Sequence, residues 1–496
     1  MNLLKLLCCV LVLVIVGFIL FKSCSAEKDI ASILDRLKEP SQPQEPAIQN
    51  SLPEKPAYVV TLNKEVPLIS LYGKLTPEKI QARDKEIELR LKNLGEKIGA
   101  VNPKILKHSS VGLIAHLPDT TEARQQSGMS YIMMTIEPDF QIQGEPIQQG
   151  EPIQQGEPIQ QGEPIQQGEP IQQGEPIQQS WGLVSSFDGS ISSCAIYRAG
   201  GSKDVPTGTK NLWIVDTGIA TARVDLFNIV PDPANPAITM GRNFTVDDSD
   251  PLFTTVDDDN GHGTMVAGIA AGKSISWAGS RLNLGMASGA RIIPIKLLDR
   301  NGVGKYVNLR RALEYISANS SPRDVINLSI GDFPVRNCGS ELGPLRAAMA
   351  AMASPDPTSK SLFFVMAAGN NFGNANENLP GCWGNESGPG GGGGPKPNFI
   401  TVGAVNCNLS CALYSNTGKA VDWVAVGTNV LCPGLTDTSG NYIFRLGTGT
   451  SMATAIVAGI VYLDDGRPSQ NPGKVDINCM YPHNSGIKVR LASRRP

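Results

Sequence analysis

The chain has 496 residues, 18% charged and 41% hydrophobic, with a formal net charge of −3 at pH 7. So balanced a charge offers no basic field for nucleic acid, and the length suffices for one large core with a smaller module beside it. In chain order, residues 1–26 carry Lys5, an apolar run from Leu6 to Phe21, and Cys24-Ser25-Ala26. That is the layout of a signal peptide with a small-residue cleavage site. The run falls short of the ~20 residues of a full span, yet if left uncleaved it would anchor the chain to a membrane through residues 6–21. Residues 27–56 are polar and proline-rich and are predicted to be a linker.

A small α+β module is predicted over residues 57–143. Tyr58–Leu62 reads as a strand. Thr76-Pro77 opens a helix with the expected cap and first-turn signals, and Ile80, Ile87, Leu91, Leu94 and Ile98 give it one apolar face. Val111–Leu117 reads as a second strand, Asp119–Gln126 as a short helix, and Tyr131–Ile136 as a last strand. Residues 144–179 then form six perfect copies of Gly-Glu-Pro-Ile-Gln-Gln. A short period can signal a β-solenoid. Here each unit offers one isoleucine, and its proline blocks ladder bonds, so the unit cannot bury enough to order itself. The repeat is therefore read as an extended linker, reaching on the order of 100 Å at about 3.1 Å per residue.

The second half holds the chemistry. Leu212-Trp213-Ile214-Val215-Asp216 fits a buried parallel strand that delivers Asp216 to its carboxyl end; a strand-ending turn aspartate is the plainer reading. Gly261-His262-Gly263-Thr264 starts a helix of small residues, where His262 is either a cap or a base. The chain has four histidines, and only His262 and His483 lie in this half. Gly369-Asn370-Asn371 is turn chemistry. Gly449-Thr450-Ser451-Met452-Ala453-Thr454 opens a run too apolar for a surface helix. A serine there sits among free N–H groups at the positive end of a helix dipole, a place for a nucleophile as well as for an ordinary cap.

Together these blocks resemble the subtilisin-like serine proteases, in the order Asp216, His262, Ser451. Asn327-Leu328-Ser329-Ile330-Gly331 is similar to the family's substrate-lining strand. Ser180-Trp181-Gly182-Leu183 and Ile295–Asp299, followed by Asn301-Gly302-Val303-Gly304, resemble the proteinase K branch. The resemblance implies an α/β fold, a mostly parallel sheet flanked by helices, over residues 180–496. It also implies that the ferredoxin-like α+β module before it is an inhibitory propeptide. Ser451 would be the nucleophile, His262 the base and then the acid, and Asp216 the group that holds the imidazole. Asn370 would line the oxyanion hole. Protein or peptide substrates would add as an extended strand, with Ser329, Ile330 and Gly331 on one side and Gly302 to Gly304 flanking the other. The whole is expected to be a secreted endopeptidase, extracellular or periplasmic, made as a self-processing zymogen. A relative that binds peptides in the same groove without cutting them is the alternative, and a display protein built around the repeat is a third.

The sequence departs from the family pattern at Met265, where a second histidine usually stands, and at Ala455, where a proline does. The run Gly388–Pro395 reads as an insertion or as a lid. Seven cysteines lie beyond the leader, so internal pairing leaves at least one over. No metal or cofactor is required by this chemistry, and the cysteine spacings do not suggest zinc. Asp247-Asp248-Ser249-Asp250 and Asp257-Asp258-Asp259 could hold structural calcium or be solvated loops.

Overall fold

A computed structural model describes residues 57–144 and 183–495, apart from short stretches within them, the longest being 332–337, 385–396, 437–441, 471–476 and 479–487. The leader, the first linker, most of the repeat and the glycine-rich run 388–395 lie outside the described residues.

The N-terminal part is a four-stranded antiparallel sheet crossed by two helices. Its elements are β1 (Ala57–Leu62), α1 (Pro77–Lys97), β2 (Val101–Leu106), β3 (Gly112–His116), α2 (Thr120–Ser127) and β4 (Met134–Pro138). The strand order β2-β3-β1-β4 with a βαββαβ chain path is ferredoxin-like. The strand β2 has no counterpart in the pattern reading. It contains Pro103 and Lys104, its register with β3 shifts between Val101 and Lys104, and it occupies the sheet edge, where proline is tolerated. Alternation along β1 sorts its side chains. Val60 packs with Leu91, Leu113 and Ala115 in the module's own core, and Val59 packs outward against the larger domain.

A short strand, β5 (Gln141–Gly144), follows that module. Beyond it lies a large sheet. Its parallel core runs, in spatial order, through Arg291–Lys296 (β7), Leu212–Asp216 (β6), Val325–Leu328 (β9), Phe363–Ala367 (β11), Phe399–Val405 (β12), Trp423–Val426 (β13) and Lys488–Ser493 (β14). The inner strands β6, β9, β11, β12 and β13 are buried along their length, which is why they read as largely apolar runs. Leu212 and Ile214 face one layer, and Trp213 and Val215 face the other. The first layer holds two helices, α3 (His262–Ala271) and α6 (Thr450–Asp464). All of α3 is buried, as is α6 from Thr450 to Tyr462, so neither has a polar face. Gly459 lets them close up: a Cβ there would stand 2.8 Å from Ala270 O and 2.6 Å from Met286 Cβ. The second layer holds α4 (Tyr306–Asn319) and α5 (Gly343–Met352).

The N-terminal sheet docks on that second layer. Glu314 of α4 accepts bonds from the backbone N–H groups of Lys107, His108 and Ser109, at 2.5, 2.6 and 2.9 Å, and from Ser109 Oγ. The Tyr306 hydroxyl donates to Glu137 at 2.5 Å, and Asp139 Oδ1 accepts from Val307 N in the first turn of α4. Burial pushes the Glu137 carboxyl up from its ordinary value even though Tyr306 donates to it.

Disulfides join Cys194 to Cys407 and Cys338 to Cys382, and Cys411 is bonded to a partner outside the described residues. Cys432 is a buried free thiol, pushed up to about 12 by its burial.

Glu314→Ala leaves three backbone donors facing a site with no acceptor. The contact is expected to weaken by about 1–3 kcal/mol. Hydrogen exchange should show faster amide exchange at residues 107–109, with residues 212–216 unaffected.

Candidate active site

Three adjacent parallel strands end at one edge of the sheet. Asp216 is the last residue of β6, Ser329 follows β9, and Asn370 lies three residues beyond β11. Carboxyl ends of parallel strands are where open α/β sheets keep their sites. Two buried helices begin at the same edge, α3 with His262 and α6 with Thr450 and Ser451.

His262 Nδ1 lies 2.6 Å from Asp216 Oδ1, and both residues are buried. A carboxylate only accepts, so Nδ1 carries the hydrogen and Nε2 keeps the lone pair. Thr217 N donates to the same Asp216 oxygen at 2.8 Å. The loop before His262 is set by Asp258. Its Oδ1 accepts from Gly261 N at 2.8 Å and from Thr217 Oγ1 at 2.8 Å, and its Oδ2 accepts from Thr264 N and Thr264 Oγ1. Thr217 Oγ1 in turn accepts from Gly263 N at 2.9 Å. Asp258 and Thr217 thus lock strand end to helix start, a role that local pattern did not reveal.

Ser451 lies in the first turn of α6 and is 1% exposed. Its Oγ makes no hydrogen bond among the described residues. Ser329 Oγ donates to the Ser451 carbonyl at 3.3 Å. Asn370 is held one residue away: its Oδ1 accepts from Thr450 N at 2.7 Å and from Thr450 Oγ1 at 2.9 Å. Because Thr450 N can only donate, this contact fixes the amide orientation and leaves Nδ2 as the donor end. Glycine at 449 permits the approach, since a Cβ there would sit 3.2 Å from Asn370 Nδ2. The loop carrying Asn370 is tied down by Asn416, whose Oδ1 accepts from Asn371 N and Gly373 N.

Beside this cluster runs a three-stranded sheet. The strand β5 lies between β8 (Val303–Lys305) and β10 (Ile330–Gly331), antiparallel to both. Gln143 pairs with Val303 and with Gly331, Ile142 with Gly304, and Gly144 with Ile330. Of the residues expected to line a peptide, Ile330, Gly331 and Gly304 therefore pair with an extended segment of this same chain. Gly302 instead forms the turn before β8, with φ +74° and its N–H on Asp299 O, and Ser329 contacts Ser451.

The acidic clusters have other partners. Asp247 and Asp248 pair with Lys104, Asp248 also with Arg311, Asp257 bonds Thr221, and Asp259 pairs with Lys296 at 2.5 Å. Among the described residues, no group of three or more histidines, cysteines or carboxylates is placed to hold a metal ion.

Gly263 admits no side chain: a Cβ would stand 2.1 Å from Gly218 O and 3.1 Å from Asp216 Cβ. Gly263→Ala is expected to force the start of α3 away from β6. Thermal unfolding should show a lowered Tm, and proton NMR should lose the low-field signal of a His262 Nδ1–H bound to a carboxylate.

With this geometry in view, the likeness to known proteins is specific. A model of the subtilase family, peptidase S8, matches residues 212–465. The chain is 31% identical over 258 residues to "Subtilisin-like protease 3" of Pseudogymnoascus destructans, covering 51% of each chain. It is 32% identical over 262 residues to "Thermophilic serine proteinase" of Bacillus sp. strain AK1, covering 52% of this chain and 53% of that one. It is 29% identical over 288 residues to "Proteinase T" of Parengyodontium album, covering 57% and 78%. The chain spans about half the length of the first two of these relatives. The matched segment takes in Asp216, His262, Asn370 and Ser451, and the chain belongs to the subtilase family.

Proposed function

We propose that this chain is a secreted serine endopeptidase, made as a zymogen that processes itself. The observation that carries the reading is the buried Asp216–His262 contact at the edge where Ser451 opens α6 beside the Thr450-anchored Asn370. The relatives' names as proteinases support it.

His262 Nε2 takes the Ser451 proton as Oγ attacks the peptide carbonyl. Asp216 holds the imidazole tautomer and stabilises the imidazolium. The oxyanion of the tetrahedral intermediate receives the Ser451 N–H and Asn370 Nδ2. His262 then gives the proton to the leaving amine, and the C–N bond breaks to leave an acyl-serine. Water, deprotonated by the same imidazole, attacks the ester; the acid is released and Ser451 regains its proton. Every step uses protein groups and water, so no cofactor is called for; bound calcium would be structural only.

The N-terminal α+β module acts as the propeptide and intramolecular inhibitor. It places β5 where a peptide substrate would add as a strand. The leader layout and the disulfides fit an oxidising extracellular or periplasmic compartment, unless the leader stays uncleaved as an anchor.

N-terminal sequencing and intact-mass analysis of the wild type beside Ser451→Ala test the reading. Wild type should be cut between Asp139 and Trp181, and the variant should stay whole. On casein, Ser451→Ala should lose on the order of 10⁶-fold in kcat, the size seen on removing a subtilisin triad serine. Asn370→Leu should lose about 100- to 1,000-fold in kcat with KM little changed, as for a subtilisin oxyanion donor. A wild-type chain that stays whole and leaves casein intact after its N-terminal module is removed by another protease would instead be a peptide-binding relative.

A further inference from the structure

The strand lying in the groove runs into the repeat, its last residue, Gly144, being the first residue of the first unit. Its Gln143 and Gly144, the two residues paired with Gly331 and Ile330, are followed in the sequence by Glu145 and Pro146. The tetrapeptide Gln-Gly-Glu-Pro recurs at 149–152, 155–158, 161–164, 167–170 and 173–176, so the chain holds six copies at six-residue spacing. The pairing that holds β5 is between backbones, which any extended segment can supply. The antiparallel register also sets direction. Continued by one residue past Gly144, it runs opposite Ser329, whose hydroxyl contacts the Ser451 carbonyl. A peptide kept in that register would bring the residue after its glycine opposite Ser329, so the bond following the glutamate would be the one nearest Ser451.

We propose that the six Gln-Gly-Glu-Pro units are interchangeable ligands of the groove between Val303–Lys305 and Ile330–Gly331, and that each presents a Glu–Pro bond that resists cleavage, making the repeat a tethered inhibitor. The resistance follows from the leaving group. A proline nitrogen has no hydrogen, and its ring carbon Cδ fills that place, crowding the side from which His262 must deliver a proton. The restraint that proline puts on the residue before it favours extended backbone, which suits a groove ligand. Slipping by one unit moves Gln149 and Gly150 into the places of Gln143 and Gly144 and leaves six more residues in the loop after Asp139. The entropic cost of that loop grows only with the logarithm of its length, and five further copies raise the effective ligand concentration. A cut through the first unit would leave the others able to compete, so release has to come from a cut outside the Glu–Pro bonds. The inhibitory consequence rests on the endopeptidase reading; the occupancy does not.

Occupancy is tested by disulfide trapping in full-length Ser451→Ala. Lys305 is opposite Gln141, so a one-unit slip brings Ile147 opposite Lys305, and a two-unit slip brings Ile153. Lys305→Cys combined with Gln141→Cys should cross-link readily. Combined with Ile147→Cys or Ile153→Cys it should also cross-link, in lower yield, and combined with the off-register Gln148→Cys it should not. Cross-linking confined to Gln141→Cys, or equal at Gln148→Cys, overturns the proposal. The bond register is tested in the otherwise wild-type chain. No Glu–Pro bond should be cut, whereas Pro146→Ala should yield a new N-terminus at residue 146, with the Glu145 carbonyl passing to Ser451 and then to water. Wild-type cutting at a Glu–Pro bond overturns the proposal. So does a Pro146→Ala chain that digests casein yet stays whole after Glu145. A wild type that neither digests casein nor reacts with a fluorophosphonate defeats the endopeptidase reading, and the cross-link pattern then still decides occupancy.

Discussion

Everything at the site depends on a helix with no polar face. Thr450 to Tyr462 are buried without exception, so α6 has to run through the interior, and its first turn has to end somewhere its free N–H groups can be used. It ends at the carboxyl edge of the parallel sheet. That one placement brings Thr450 to Asn370 and the Ser451 carbonyl to Ser329. The hydroxyl of Ser451 is left facing a buried edge where a charge developing nearby is neither screened by water nor far from backbone donors. Moving the helix by one residue would rotate a different side chain into that place, and this is why Gly427, Gly447 and Gly459, whose added Cβ atoms would strike the helix, its first turn or its neighbours, bear on chemistry as well as packing.

The second constraint is the pair of open strand edges beside the site. A groove with two facing edges is a liability unless it is filled. The chain fills it with β5, delivered by a module that is itself held to α4 through Glu314, Tyr306 and the backbone of Val307. The anchor is strong in chemical terms: a carboxylate accepting three amide hydrogens in a partly buried contact is difficult to replace by water. Asp139, which is bonded to the first turn of α4, and Gln141, in the groove, are two residues apart, so docking of the module and filling of the groove are mechanically one event.

How much of this was legible in the sequence divides along contact range. The strand ending at Asp216 and the helices opening at His262 and Ser451 each leave a local signal, an apolar run closed by a carboxylate or a small-residue run opened by glycine, and the structure has those elements at those residues. The apolar face of α1 likewise follows from spacing, with Ile87, Leu91 and Leu94 buried. What stayed hidden is set by partners far along the chain. Asp258 sits among acidic neighbours that suggest a metal or a solvated loop, and only its bonds to Thr217, 41 residues away, and to Thr264 give it a role. Thr450 reads as a helix start, yet it orients Asn370 from 80 residues away. The edge strand β2 hid because Asn102, Pro103 and Lys104 mask its alternation.

The repeat shows the same limit from the other side. Judged as a folding unit, Gly-Glu-Pro-Ile-Gln-Gln fails: too little apolar surface, and a proline that forbids a ladder of its own. Judged as a ligand, the same features become assets. A segment that cannot fold on itself pays no competing stability to enter a groove, and backbone pairing asks for no side chain in particular. The proline that blocks a sheet among repeats stands one residue beyond the pair that bonds β10, with Glu145 between them, so it is not itself one of the paired residues. A sequence read only for what it can bury therefore misses what it can lend to an edge already built, and in this chain that edge lies next to Ser451.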